Sequence, residues 1–449
     1  MINFTKTGLV CILLLFTHFI KSQDFHTYIL FPTAEEPMGS KIADVNNDGL
    51  NDVITGYNNN ANIKIQYQQA DRTLASFIIL PVDDYYIYSF DVGDVNQDGL
   101  NDIVLTSGQS YAIFYQKSTG GFHEMQKFNT GRQTGLIRIG DINNDQVNDI
   151  VLTNYNNVIF LYQTTPGQFV TETRAMTHYF SELKIVDINN DHLNDLVFAS
   201  GASFQIYTFL QKPTGILAAP VITYANSRIN DLAVGDLNND GLMDVVTTQS
   251  GGGDSNLKIF YPSLNEYIFY SFIQVPAQNN AGTIEIADLN NDGKNEIIVG
   301  NEGYNSYSIY SSETNNYSLI KSDYIPYSNS IAPQSLSIGD INNDGAKDLV
   351  FTFTNGVIIV YNKGNHLGTS NEKRSEINIF PNPVIDQIIF TENHSGSTFR
   401  IYDMSGKLYK KGNVDLNNHI DVSALSSGNY VLSITDRSAK NHSRKFIKK

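Results

Sequence analysis

Disulfides are excluded first: the chain's single cysteine, Cys11, sits in an N-terminal apolar stretch, and the other 448 residues contain none. Tryptophan is also absent. An exported protein without disulfides needs another staple, and metal is the usual one. Charged residues make up only 17% of the chain against 41% hydrophobic ones, which excludes a disordered chain. No apolar run reaches the ~20 residues needed to cross a bilayer as a helix. Basic charge is scarce as well. Residues 23–369 hold 38 acidic and 16 basic side chains, which excludes nucleic acid as a partner and favours cations. The chain has no Gly-x-Ser-x-Gly elbow, no His-Glu-x-x-His and no glycine-rich phosphate loop. Its nine histidines are scattered, so no catalytic residue is assigned.

Tyrosine (26) and phenylalanine (25) are plentiful and accompany many Asn and Gly residues, a composition suited to strands joined by tight turns. At the N-terminus Lys6, the apolar stretch Leu9 to Phe16 and the small residue Ser22 read as a signal peptide over residues 1–22. The mature chain is expected to carry no membrane span.

One nonapeptide, Asp-x-Asn-x-Asp-x-x-x-Asp/Glu, occurs seven times, starting at Asp44, Asp94, Asp141, Asp187, Asp236, Asp288 and Asp340. A repeat of roughly fifty residues is the period of a propeller blade. Short alternating segments flank each copy: Ile137 to Gly140 before and Ile150 to Thr153 after the third, for example. Third strands such as Ala112 to Tyr115 follow, then fourth strands such as Phe77 to Leu80 or Tyr267 to Tyr270. The seventh unit runs out after three. Phe25 to Phe31 supplies one spare strand ahead of the first loop, and placing it in the last blade closes the ring. The reading is all-β: a seven-bladed β-propeller over 23–362, a linker over 363–375 and a small Ig-like β-sandwich over 376–449.

Side-chain oxygens at loop positions 1, 3, 5 and 9, with the carbonyl of position 7, form a hard oxygen set suited to Ca²⁺. The predicted ligands are Asp44, Asn46, Asp48, Leu50 and Asp52 in the first loop and Asp94, Asn96, Asp98, Leu100 and Asp102 in the second. They are Asp141, Asn143, Asp145, Val147 and Asp149 in the third, and Asp187, Asn189, Asp191, Leu193 and Asp195 in the fourth. The fifth has Asp236, Asn238, Asp240, Leu242 and Asp244, and the sixth Asp288, Asn290, Asp292, Lys294 and Glu296. The seventh has Asp340, Asn342, Asp344, Ala346 and Asp348. These are not EF-hands, which close with an acid at position 12 between helices. Up to seven ions are expected. Position 6 needs a left-handed turn that suits glycine. Gln146 and His192 stand there in loops three and four, so the sites starting at Asp141 and Asp187 are expected to be the weakest.

At these residues the chain resembles the FG-GAP and VCBS-type repeats, the calcium-loop propellers that include the integrin alpha-subunit head. That resemblance implies calcium on one propeller face. From residue 376 onward, Ile377-Asn378-Ile379-Phe380-Pro381-Asn382-Pro383, Phe399 to Lys407 and Gly428 to Leu432 resemble the type A sorting domain of the type IX secretion system. This implies passage through the periplasm, handling by that machinery, and release or display at the outer cell surface.

The opposite face is expected to carry Tyr57 to Ala61, Asp83 to Tyr88, Ser107 to Tyr111, Asn154 to Asn157, Gly251 to Asn256, Gly303 to Tyr307 and Tyr327 to Ser330. These loops are rich in Tyr, Asn, Ser and Gly, the composition of recognition surfaces. A non-catalytic binding or cell-adhesion module for a glycan or protein is the reading. The alternative is a lyase-like polysaccharide-degrading enzyme, with His178 and Tyr179 as a conceivable acid/base pair.

Overall fold

The computed structural model describes residue 25 and residues 28–449, apart from 34, 59–60, 250–254, 264–268, 270, 279, 302–305, 313–316, 325–330, 355, 365–378, 391–393, 404–406 and 436–440. The signal peptide therefore lies outside the described residues, as does the linker from residue 365 on. Among the described residues every regular element is a strand, and no helix is long and apolar enough to cross a membrane. The chain divides into two compact units, one ending at Asn365 and one beginning at His366.

The first unit holds seven four-stranded antiparallel sheets. Six run in simple sequence order from the inner to the outer strand. In the seventh, Ile29–Pro32 pairs with Gly356–Val360 and supplies the outer strand, as the spare N-terminal segment predicted. In the fifth blade the outer strand is Phe272–Pro276, paired with Asn256–Phe260. This corrects the expectation of Tyr267 to Tyr270, which apart from Phe269 lies outside the described residues.

The inner strands are Pro37–Ala43, Ser89–Gly93, Thr134–Gly140, Glu182–Val186, Asp231–Gly235, Ala281–Ala287 and Ile331–Gly339. Each touches the next, and the first touches the last, so the ring is closed. Side-chain size explains how they fit. In four blades the residue before the loop is glycine, and an isoleucine of the next blade fills the space this leaves. A Cβ on Gly93 would meet Ile139 at 3.2 Å, on Gly140 Ile185 at 2.9 Å, on Gly235 Ile286 at 2.6 Å and on Gly339 Ile42 at 2.9 Å.

All seven second strands are buried along their whole length, because neighbouring blades cover both faces. The apolar core accordingly lies between blades. Ile54, Ile63 and Ile65 of the first blade pack with Phe90, Ile103 and Leu105 of the second. Val53 and Tyr57 pack with Val350 and Ile359 of the seventh.

The second unit is a sandwich of a three-stranded and a four-stranded sheet. Val384, Ile388, Phe399, Ile401, Ile420, Leu432 and Phe446 fill its core. Phe399 and Ile401 alternate with exposed Thr398 and Arg400, the period of a half-buried strand.

Candidate functional site

The seven nonapeptides connect first to second strands in one register. The residue before each loop pairs with its ninth residue, from Ala43 opposite Asp52 to Gly339 opposite Asp348. Position 2 is always apolar and buried: Val45, Val95, Ile142, Ile188, Leu237, Leu289 and Ile341. It pins the turn to the sheet.

Three hydrogen bonds recur in every loop. The position 6 N–H donates to the position 1 carboxylate at 2.7–3.0 Å. The position 7 N–H donates to the position 5 carboxylate at 2.8–3.0 Å. The position 2 N–H donates to the closing carboxylate at 2.9–3.2 Å. In the first five loops the position 3 amide oxygen also accepts the position 5 N–H at 2.9–3.0 Å. The chain itself thus orients the acidic groups.

Two residues per loop are left-handed. Position 6 has φ from 67° at Gln146 and 68° at His192 to 86° at Gly241. Position 4 has φ between 55° and 64°, and is Asn in six loops and Gln97 in the second. The sequence pointed to the first and missed the second, although Asn is the non-glycine residue best suited to that region.

The closing side chains Asp52, Asp102, Asp149, Asp195, Asp244, Glu296 and Asp348 are all completely buried. Burial pushes the six aspartates up to about 7, and the carboxylates of positions 5 and 1 in the same loop add to that push. The three acids of a loop are therefore close enough to repel one another. Among the described residues, however, no three Asp, Glu, His or Cys side chains close tightly enough on one point to hold an ion by themselves. An ion here needs the amide and main-chain oxygens, and water, beside the carboxylates. The donor chemistry fits a hard cation: buried negative charge lacks a counter-ion, and the buried oxygens Asp244 Oδ1 and Asn342 Oδ1 have no hydrogen-bond partner.

Position 8 carries a function that the motif did not reveal. Asn51, Asn101, Asn148, Asn194 and Asn295 each donate Nδ2 to the position 1 carbonyl of the preceding blade's loop, at 2.8–3.1 Å. The loops are thereby stitched to one another around the ring. The third-strand tyrosines Tyr67, Tyr115, Tyr162 and Tyr361 pack into the inter-blade clusters. Their hydroxyls are raised above their usual range mainly by burial, with the closing carboxylate of their own blade adding to it.

The ring axis is charged. Lys41 pairs with Asp91 at 2.9 Å, Arg138 with Glu182 at 2.6 Å and Lys184 with Glu285 at 2.9 Å. Arg138 also donates to Ser89 Oγ at 2.9 Å and to the Leu183 carbonyl at 3.0 Å. Against the effect of burial, Arg138 and then Lys184 hold Glu182 below its usual value. Among the described residues Asp231 makes no ion pair, although Lys184 acts on it. Burial, followed by Glu182, pushes it up to about 7. A cavity of about 310 Å³ lies among these groups.

Glu182, Asp231 and Thr283 also form the floor of a larger bowl, about 780 Å³, walled by Tyr88, Tyr179, Phe180, Phe204 and Arg228. These wall residues come from the ends of the blades remote from the nonapeptides. Tyr179 and Phe204 are 51% and 43% exposed. Tyr179 packs edge-on against Tyr155 at 4.9 Å and engages its hydroxyl. Of the loops expected on this face, Asp83 to Tyr88 contributes Tyr88 to the bowl. Residues 251–254, 303–305 and 327–330 lie outside the described residues.

Fold and repeat together define the class: a closed seven-bladed β-propeller with an acidic loop in each blade. A family model described as FG-GAP-like repeat matches residues 44–105, 94–152, 187–247 and 288–351. A second model, secretion system C-terminal sorting domain, matches residues 378–449. The chain belongs to the FG-GAP-like repeat family and carries a type IX sorting domain, which directs it to export and to secretion or outer-surface display. Among curated proteins none matches. Solved structures share its fold. The crystal structure of BBS1N in complex with ARL6DN, soaked with lead, has a TM-score of 0.55 at 11% identity over 76% of this chain and 97% of that one. The Neurospora crassa Pan2 WD40 domain has a TM-score of 0.51 at 13% identity over the same shares.

Proposed function

We propose that this is an exported, calcium-loaded binding propeller that takes a glycan or protein ligand in the aromatic bowl at one end of its axis. The bowl carries the proposal. Exposed aromatic rings stand above a polar floor in a cavity large enough for a small ligand or a protruding side chain. Calcium in the loops neutralises the mutual repulsion of their carboxylates and joins first to second strands, so the remote bowl is held on a stiff ring. The charged axis beneath the floor is ion-paired and serves the same stiffness. A glycan array probed with and without calcium tests the reading, beside the Tyr179→Ala variant. Binding that needs calcium and is lost on removing the Tyr179 ring supports it, while binding indifferent to both sinks it.

The enzyme reading draws on one observation, the carboxyl of Asp231 near 7 on the floor of the bowl, within the range of a general base. An assay for unsaturated sugar ends against acidic polysaccharides decides it.

A further inference from the structure

The seven loops are near-copies, but their closing carboxylates do not have equal partners. In five of them the second carboxylate oxygen, Oδ1, accepts a main-chain N–H from the third-strand side of the same blade. The donor lies two residues past the strand's end in four blades and within the longer strand Asn157–Thr165 in the third. The donors are Gln68 to Asp52 at 2.9 Å, Gln116 to Asp102 and Gln163 to Asp149 at 2.8 Å, Gln211 to Asp195 at 2.7 Å, and Asn362 to Asp348 at 2.8 Å. In the sixth loop the longer Glu296 accepts the side-chain amide of Asn290, at 3.2 Å. The fifth blade has Pro262 at the equivalent place, after Asn256–Phe260 and Tyr261. Proline has no N–H. Asp244 consequently keeps only donors from within its own loop, the N–H of Leu237 at 2.9 Å and the neighbouring N–H of Asn238. Its Oδ1 is buried with no hydrogen-bond partner.

We infer that the fifth loop, Asp236 to Asp244, is the tightest of the seven cation sites, and that Pro262 makes it so. The inference rests on the proposal that the loops bind calcium. In the other Asp-closed loops an incoming ion shares Oδ1 with a donor already in place. In the fifth the ion meets an oxygen with both lone pairs free and its desolvation uncompensated, so ligation recovers the whole deficit. Losing a hydrogen bond to a buried charged group corresponds to about tenfold or more in affinity. Backbone strain does not offset the gain: position 6 is Gly241 at φ 86°, whereas loops three and four hold Gln146 and His192 left-handed. Elsewhere in the loop the Asp240 N–H still donates to Asn238 and Asp236, and the Leu242 N–H to Asp240. The position 3 and 4 N–H groups that donate to the position 1 carboxylate in the first three loops, by contrast, have no counterpart at Asp236 among the described residues.

The test is a calorimetric calcium titration of the chelator-stripped full chain, run with Pro262→Gln and Asp244→Asn and accompanied by thermal melts in chelator. Glutamine occupies the equivalent place in four other blades, so Pro262→Gln is compatible with the fold. It should weaken the tightest binding step about tenfold and, by giving Oδ1 its donor, raise the metal-free melting temperature. Asp244→Asn should remove the tightest step and leave the weaker ones. If Pro262→Gln leaves the tightest step unchanged, or Asp244→Asn removes a weaker one, the ranking is overturned while calcium binding stands. If the wild-type chain takes up no calcium, both fall.

Discussion

The side-chain amide of Asn51 lies 2.9 Å from the main-chain carbonyl of Asp340, its acceptor, although 289 positions separate them. This bond joins the first blade to the last beside the Ser40–Ser337 hydroxyl contact at 3.0 Å, and so belongs to the ring's closure. Replacing Asn51 with alanine leaves a partly buried carbonyl unpaired, at a cost of about 1–3 kcal/mol. For a propeller of this size that amounts to a fall in melting temperature of roughly 1–4 °C. Met243 occupies the same position in the fifth blade and makes no such side-chain bond, its main-chain N–H reaching the Ile188 carbonyl at 3.3 Å. Met243→Asn should therefore stabilise. Melts of the two variants in one buffer check both signs; equal melting temperatures would show that the stitches contribute nothing.

Chelation should lower the melting temperature of the whole propeller unit. At a free calcium concentration a hundredfold above its dissociation constant, each filled site adds about 2.7 kcal/mol. Scans with calcium and with excess chelator read this directly, and superimposable curves would eliminate metal as the staple.

The third and fourth loops offer a finer check. Gln146 and His192 hold φ of 67° and 68°. A side chain in that region costs on the order of 1–2 kcal/mol. Gln146→Gly should tighten calcium binding at the third loop by roughly the factor of ten that such an energy represents. An unchanged or weakened third site would mean that the loop carries no strain.

The blades were legible because seven copies in register outweigh any single ambiguous turn, and because the small residues Gly93, Gly140, Gly235 and Gly339 mark the crowded axis. The spare strand was legible by counting. Other features were hidden because their meaning lies across a seam. Asn51 reads as one more turn residue until Asp340 is brought beside it. Pro262 reads as a turn proline until its missing N–H is set against the donors at Gln68, Gln116 and Gln163. The charged axis was invisible for a related reason. Lys41, Asp91, Arg138 and Lys184 stand three residues ahead of their loops, the first three each a lone charge in a short strand, and only closing the ring pairs them. The bowl draws single residues from several connections, and no local pattern gathers Tyr179, Phe204 and Arg228.

Removing residues 376–449 should leave the propeller folded but undelivered, since the matched sorting domain lies within that stretch. Fractionation of cells expressing the shortened chain should find it in the periplasm. Release into the medium at the full-length level would contradict the assigned route.

Asp231 gives a pH dependence whose sign can be worked out. In the folded chain burial and Glu182 raise it to about 7, from an ordinary value of 3.8. Between those two values the folded state holds a proton that the unfolded state has lost. Its contribution to stability is thus fully present below about pH 4 and is lost as pH rises through about 7. The groups around it do not mask this. Asp91 and Glu182 are held below their usual values, so their contributions disappear only in acid, and Lys184 is raised above its usual range. Asp231→Asn removes the titration while preserving an acceptor for the Ile284 N–H, which donates to Asp231 at 2.9 Å. With calcium present throughout to keep the loops loaded, the wild type should lose stability relative to Asp231→Asn between pH 5 and pH 8. Melts at half-unit pH steps measure the difference. A constant offset across that range would mean that Asp231 stays ionised on the floor of the bowl, and would remove the general-base reading of that carboxyl as well.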